Sequence, residues 1–236
     1  MKRSNVVAAI GAAAGIVSGI GYVAAWTAPG HVAIKPHLIN FDTYRDKSIP
    51  LTGTWNIDPM HTSATFNIRH MGLSNIQGRF DEISGTIVAN EEHPELSSVE
   101  VTIPATSVDT DVKMRDDDLR GEHYLDVAKY PTITFKSTSV KHNKDSRYTA
   151  VGDLTVHGVT KQISLPFDVY GPIKDPFGSP RFGLSTAIII KRLDYGVGPT
   201  DKLAAGQLAV GDNVNIHLNV EGTPPAPPAA PAPAAQ

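Results

Sequence analysis

The sequence predicts an all-β domain of antiparallel strands, preceded by an apolar segment and followed by a Pro/Ala tail. Three observations predict it. Apolar and polar residues alternate with a period of two through most of residues 51–222. The alternating runs are separated by turn residues at the spacing of a β-barrel or β-sandwich. One stretch alone, residues 109–124, breaks the alternation and reads as a short helical segment.

The elements follow in chain order. Met1 precedes Lys2 and Arg3, and then an uncharged run extends from Val6 to Ala25. A basic start followed by an apolar stretch is an export signal. Val23 and Ala25 fit the −3 and −1 positions of a cleavage site. The length of the run, near that of a bilayer span, and Gly11, Gly15 and Gly19 at four-residue spacing favour a retained transmembrane anchor. Under either fate of residues 1–28, the rest of the chain is expected outside the cytoplasm, in the periplasm or at the cell surface. A retained anchor would keep it near a membrane, with Lys2 and Arg3 on the cytoplasmic side. Residues 29–50, with Pro29, Gly30, Pro36 and Pro50, read as a linker. Residues 223–236 are almost entirely Pro and Ala, cannot bury apolar area, and are expected to be a disordered, extended tail.

Within 51–222 the inner face can be read strand by strand. Ala64, Phe66, Ile68 and His70 share one parity, opposite Thr65, Asn67 and Arg69. Val99, Val101 and Ile103 alternate with Glu100 and Thr102, and Ile133 and Phe135 with Thr132, Thr134 and Lys136. Leu154 and Val156 continue the pattern. Ile163, Leu165, Phe167 and Val169 follow, and Val214, Ile216, Leu218 and Val220 form the last strand. In the helical segment, Asp109 and Thr110 are placed to cap the start and Gly121 to end it.

Composition removes several functions. Formal net charge is −3, and loss of residues 1–28 leaves 19 basic against 24 acidic residues, so no basic field exists to gather nucleic acid. No cysteine is present, which excludes disulfides, thiolate metal sites and a cysteine nucleophile. HExxH, GxSxG, P-loop and GxGxxG patterns do not occur, and the nine histidines are dispersed without metal-ligand spacing. The expectation is a binding protein without catalytic residues, cofactor or metal. The sequence leaves a homodimer open.

Four blocks then carry a family resemblance: GTWNIDPMHTSATFNIRHMGLSNIQGRF at 53–80, SVDTDVKMRDDDLRGEHYLDVAKYPTITFKS at 107–137, YTAVGDLTVHGVTKQISLPF at 148–167 and RFGLSTAIIIKRLDYG at 181–196. In this order they resemble the polyisoprenoid-binding YceI-like family of lipocalin-like barrels, with GDLTVHGVT and KYPTITFKS the most characteristic. The resemblance spans essentially all of 51–222. It implies an eight-stranded antiparallel barrel around an elongated apolar pocket for an isoprenoid or similar amphiphile. A barrel of that size is wide enough to hold one small ligand or to be filled by side chains. The candidate ligand contacts are Phe66, Ile68 and His70, then Phe80, Val101, Ile133 and Phe135. Leu154, Val156 and Phe167 follow, then Leu184 and Ile188, with Arg115 at the mouth for a head group.

Several polar motifs admit two readings. Gly53-Thr54-Trp55 resembles the GxW signature of lipocalins, in which Arg181 or Arg192 would stack on Trp55; otherwise Trp55 is a core aromatic. His70 either meets a ligand or is satisfied by a neighbour. His61 is expected to order a turn with Asp58 as acceptor. Asp116, Asp117 and Asp118 do not match a calcium loop and are expected on a solvated helix face. Arg115 and Arg120 suit bidentate phosphate contact, or ion pairing with Asp116 and Asp118. His157-Gly158 reads as a turn with positive φ at the glycine, and Lys191, Arg192 and Asp194 as rim residues. Two other functions compete with lipid carriage: a hydrolase or isomerase using His70 or His157 with an Asp, and a scaffold barrel filled by its own side chains.

Overall fold

The computed structural model describes residues 45–226. The signal or anchor at 1–28, most of the linker and residues 227–236 of the tail lie outside the described residues. The described part of the linker is not loose: Asp46 N–H donates to Pro172 O at 2.8 Å, and Ile49 and Leu51 are buried.

Eleven ladder segments make up the sheet: β1 (Gly53–Ile57), β2 (Ser63–His70), β3 (Ser74–Phe80), β4 (Ser84–Ala89), β5 (Ser98–Pro104), β6 (Val108–Asp109), β7 (Thr132–Lys144), β8 (Arg147–Val156), β9 (Val159–Lys174), β10 (Pro180–Lys191) and β11 (Val210–Thr223). They form eight strands. β1 pairs with β4 (Trp55↔Ile87) and β2 with β3 (Ala64↔Phe80), so β1–β2 and β3–β4 are two long strands interrupted at one level. β5 pairs with β4 and β6 with β3, which makes β5–β6 the third. β7 to β11 follow by consecutive antiparallel pairing. β11 then closes the ring on its free edge, against β2 (Ile216↔Phe66) and β1 (Ile57↔Gly222). Closure removes the free edges that an open sheet of this size would expose.

The strands form where the residues alternate, because each strand has one face on the interior and one in water. β-Branched residues dominate the inner face and suit the pleated surface. The β8–β9 turn needs positive φ at both central residues, supplied by His157 (φ 51°) and Gly158 (φ 71°). A Cβ on Gly158 would also collide with the Tyr130 ring.

The helical segment is α1 (Lys113–Arg120), about two turns within residues 109–124, as expected from sequence. Its N-terminal residue Val112 offers no side-chain cap, and Asp109 lies in β6 rather than capping the helix. Gly121 does end it, with its N–H donating to Asp118 O at 3.0 Å. Asp116 is buried instead of solvated, because its carboxylate accepts from both the N–H (2.9 Å) and Oγ1 of Thr110.

Candidate functional site: an apolar cavity inside the barrel

The barrel interior is divided into a packed base and an open middle. At the base Trp55 is 4% exposed, donates from Nε1 to Leu51 O at 2.8 Å, and meets Phe182 edge to face at 4.9 Å between centroids. Ile57, Ile87 and Val220 pack around this pair. Trp55 is therefore a core aromatic, and neither expected arginine stacks on it. Arg181 instead bonds Asp58 (2.6 Å), Asp175 (3.0 Å) and Glu221 (3.3 Å). Arg192 is 4% exposed, so it is not a rim residue. Its guanidinium donates to four backbone carbonyls, those of Gly211, Val197, Pro199 and Val210, at 2.6–2.9 Å. Those bonds tie the loop before β11 across the barrel end, and burial pulls the Arg192 pKa down.

Above the base lies a cavity of about 220 Å³, open to solvent over part of its boundary. β1 and β4, at the base, contribute no lining residue, and each of the other nine ladder segments does. Nine of the thirteen candidate contacts line it: Phe66 and Ile68 from β2, Phe80 from β3, Val101 from β5, Ile133 and Phe135 from β7, Leu154 and Val156 from β8, and Ile188 from β10. The walls are hydrocarbon throughout. The polar side chains on its border are few, among them Arg192, Tyr124 and Tyr195 at the end covered by α1.

Four candidates lie elsewhere. His70 has the inner parity but ends β2, opposite Val210 and Ser74, and does not line the cavity. Phe167 stacks on Tyr148 at 5.7 Å, and Leu184 packs against the base cluster. Arg115 does not reach the cavity and pairs with neither Asp116 nor Asp118. Its Nε and Nη2 donate to Thr110 Oγ1 and O, both at 2.7 Å. Arg120 is likewise engaged with the Thr106 and Val108 carbonyls.

Sequence reasoning missed the cavity's end wall. Tyr124, Leu125, Tyr195, Val197 and Val210 border the cavity, and most lie in irregular segments where no periodicity marks an inward residue. Ile163, Leu165, Ile216 and Leu218 carry the inner parity and also line it.

Among the described residues, no acid–base pair lines the cavity. His157 contacts Tyr195 O at 3.3 Å and the Tyr130 ring, with no carboxylate partner among its described contacts. The closest His–Asp pair, His61 Nδ1 and Asp58 Oδ2 at 2.8 Å, orders the β1–β2 corner as expected from sequence, and Asp58 also accepts from Met60 N–H. Asp58, His61 and Glu221 bring donor atoms within 4.8 Å of one another, but the Arg181 guanidinium already supplies the cation between the two carboxylates.

His61 and Arg181 together hold the Asp58 carboxyl down at about 2, from an ordinary 3.8. The folded pKa lies below the unfolded one, so this contribution is complete above pH 3.8 and is lost as pH falls towards about 2. With the Asp58 side chain 12% exposed, it amounts to at most about 2 kcal/mol. Asp58→Asn is expected to remove that part of the acid limb: its stability deficit at neutral pH should shrink on titration towards pH 2. A deficit constant from neutrality to pH 2 would show that the pair does not contribute.

The comparisons agree with this architecture. The YceI-like domain family model matches residues 55–222. A UPF0312 protein of Yersinia pestis is 38% identical over 162 residues, covering 69% of this chain and 81% of that protein. Among solved structures, the YceI protein of Campylobacter jejuni is 28% identical with a TM-score of 0.57, covering 67% of this chain and 91% of that one. A polyisoprenoid binding domain from Saccharophagus degradans implicated in plant cell wall breakdown shares the fold at 18% identity and a TM-score of 0.58, covering 72% and 98%. The chain belongs to the YceI-like domain family.

Proposed function

We propose that the barrel binds a long-chain isoprenoid or related amphiphilic lipid in its cavity and carries or stores it outside the cytoplasm. The single observation that supports this most is the cavity itself: an unfilled space walled by Phe66, Ile68, Val101, Ile133, Leu154 and Ile188 that hydrocarbon matches and water does not. The Saccharophagus neighbour, described as polyisoprenoid binding, is consistent with it. The unfilled apolar cavity favours this reading over the scaffold alternative, a barrel filled by its own side chains. A His/Asp hydrolase has no pair in the cavity to act through.

Affinity should come from chain length. Each enclosed prenyl unit contributes roughly 3 kcal/mol gross, while association costs about 4–15 kcal/mol. Short prenols are therefore expected not to bind measurably, and affinity should rise steeply with each added unit until the cavity is full. Fluorescence displacement with prenols of graded length measures this. Equal affinity across the series, or no binding at any length, would overturn the reading. The N-terminal apolar run supports placement at a membrane, where such lipids reside.

A further inference from the structure

The wall of the cavity has one thin place. On its outer edge β3 is paired by β6 only at Arg79 and Phe80, so the ladder stops beside Gly78. Across that break stands Thr110. A Cβ on Gly78 would lie 2.8 Å from Thr110 Cγ2 and would overlap the Phe66 ring. The space a side chain would take at Gly78 is therefore filled by the Phe66 ring and the Thr110 methyl, so the wall here is closed by side chains, and Phe66 also lines the central cavity and leans on Phe80 at 5.7 Å.

Outside this closure lies a solvent-open groove of about 360 Å³. Phe66 and Gly78 border it, and so do Thr65, Asn67, Gln77, Arg79, Asp111 and His217, which present polar side chains. Thr65 and Phe66 border the inner cavity and the groove alike, so only this small stretch of wall separates them. The far lip is fixed. Asp116 accepts from Thr110, and Arg115 donates to Thr110, so α1 clamps the lip from behind.

We propose that the break in the ladder between Gly78 and Thr110 is a lateral portal, closed in this structure, with Phe66 as its inner door, and that the groove outside seats the uncharged hydroxyl or carbonyl end of the lipid. This rests on the reading that the cavity holds a lipid tail. The charge balance of the groove sets the head-group class. Arg79 is the cation, and it is already engaged by Asp81, Asp109 and Asp111. A phosphate entering there meets surplus negative charge, whereas Asn67, Gln77, Thr65 and His217 offer neutral donors and acceptors.

The absence of cysteine makes the test direct. In the full chain, Gln77→Cys is labelled with a bulky maleimide, with Lys141→Cys, exposed on β7, as the labelled control. Exchange is followed with a long polyprenol, its monophosphate and the hydrocarbon squalene. Labelled Gln77→Cys is expected to slow polyprenol exchange by at least about tenfold while the control exchanges as wild type, and polyprenol should bind about tenfold or more tighter than its monophosphate. Unchanged exchange after labelling at Gln77, or a monophosphate that binds as tightly as the alcohol, overturns the portal while squalene binding still upholds the lipid cavity. Failure of all three lipids to bind overturns both.

Discussion

Ile188→Trp is expected to weaken lipid binding about a hundredfold without unfolding the barrel. Ile188 lines the cavity from β10, paired with Ile216 of β11, which lines it too. An indole there would occupy the space of about one prenyl unit, worth roughly 3 kcal/mol, or about a hundredfold in affinity. The thermal midpoint separates this account from a filled interior. In a packed core, overfilling costs about 1–3 kcal/mol. In a cavity, the new ring gains contacts, so the midpoint should stay or rise. Wild-type affinity, or a sharp fall in stability, would contradict an open interior.

The second large effect falls on stability alone. Trp55→Ala should cost about 3–5 kcal/mol in urea unfolding, as for a large buried aromatic truncated to a methyl. Three contributions converge there: burial to 4% exposure, the edge-to-face contact with Phe182, and the Nε1 bond that ties Leu51 onto the base. Trp55→Phe keeps the ring and should lose less. A loss below about 1 kcal/mol for Trp55→Ala would mean that the base is loosely packed and that the cavity extends through it.

What the sequence shows and what it hides have a common physical cause. Antiparallel strands with one wet face write themselves into the residue pattern, which is why Phe66, Ile133, Leu154 and Ile188 are legible as inward without any coordinates. Parity says nothing about height along the barrel. His70, Leu184 and Phe167 have the inner parity, yet none lines the cavity: His70 ends β2, Leu184 packs on the base and Phe167 stacks on Tyr148. Nor does it reach irregular backbone, and so Tyr124 and Tyr195 are invisible in the pattern. Arg192 and Asp116 mislead for a different reason. A charged residue reads as exposed unless its partner is evident, and here the partners are backbone carbonyls of residues 197–211 and the Thr110 backbone and hydroxyl, which no side-chain pattern announces.

The arginines illustrate why chemistry cannot be assigned from residue type alone. Arg115 is of the residue type that suits a phosphate, but its Nε and Nη2 both donate to Thr110, and the result is a clamp on that residue. Arg181 holds the β1–β2 corner to the β9–β10 hairpin through Asp58 and Asp175.

The most direct measurement is the native mass spectrum of the full chain purified gently from its own host. The account predicts a species heavier than the polypeptide by one long-chain lipid, released by organic solvent as an intact prenyl compound. A spectrum showing bare polypeptide alone, from protein that also takes up no added long polyprenol, would contradict it.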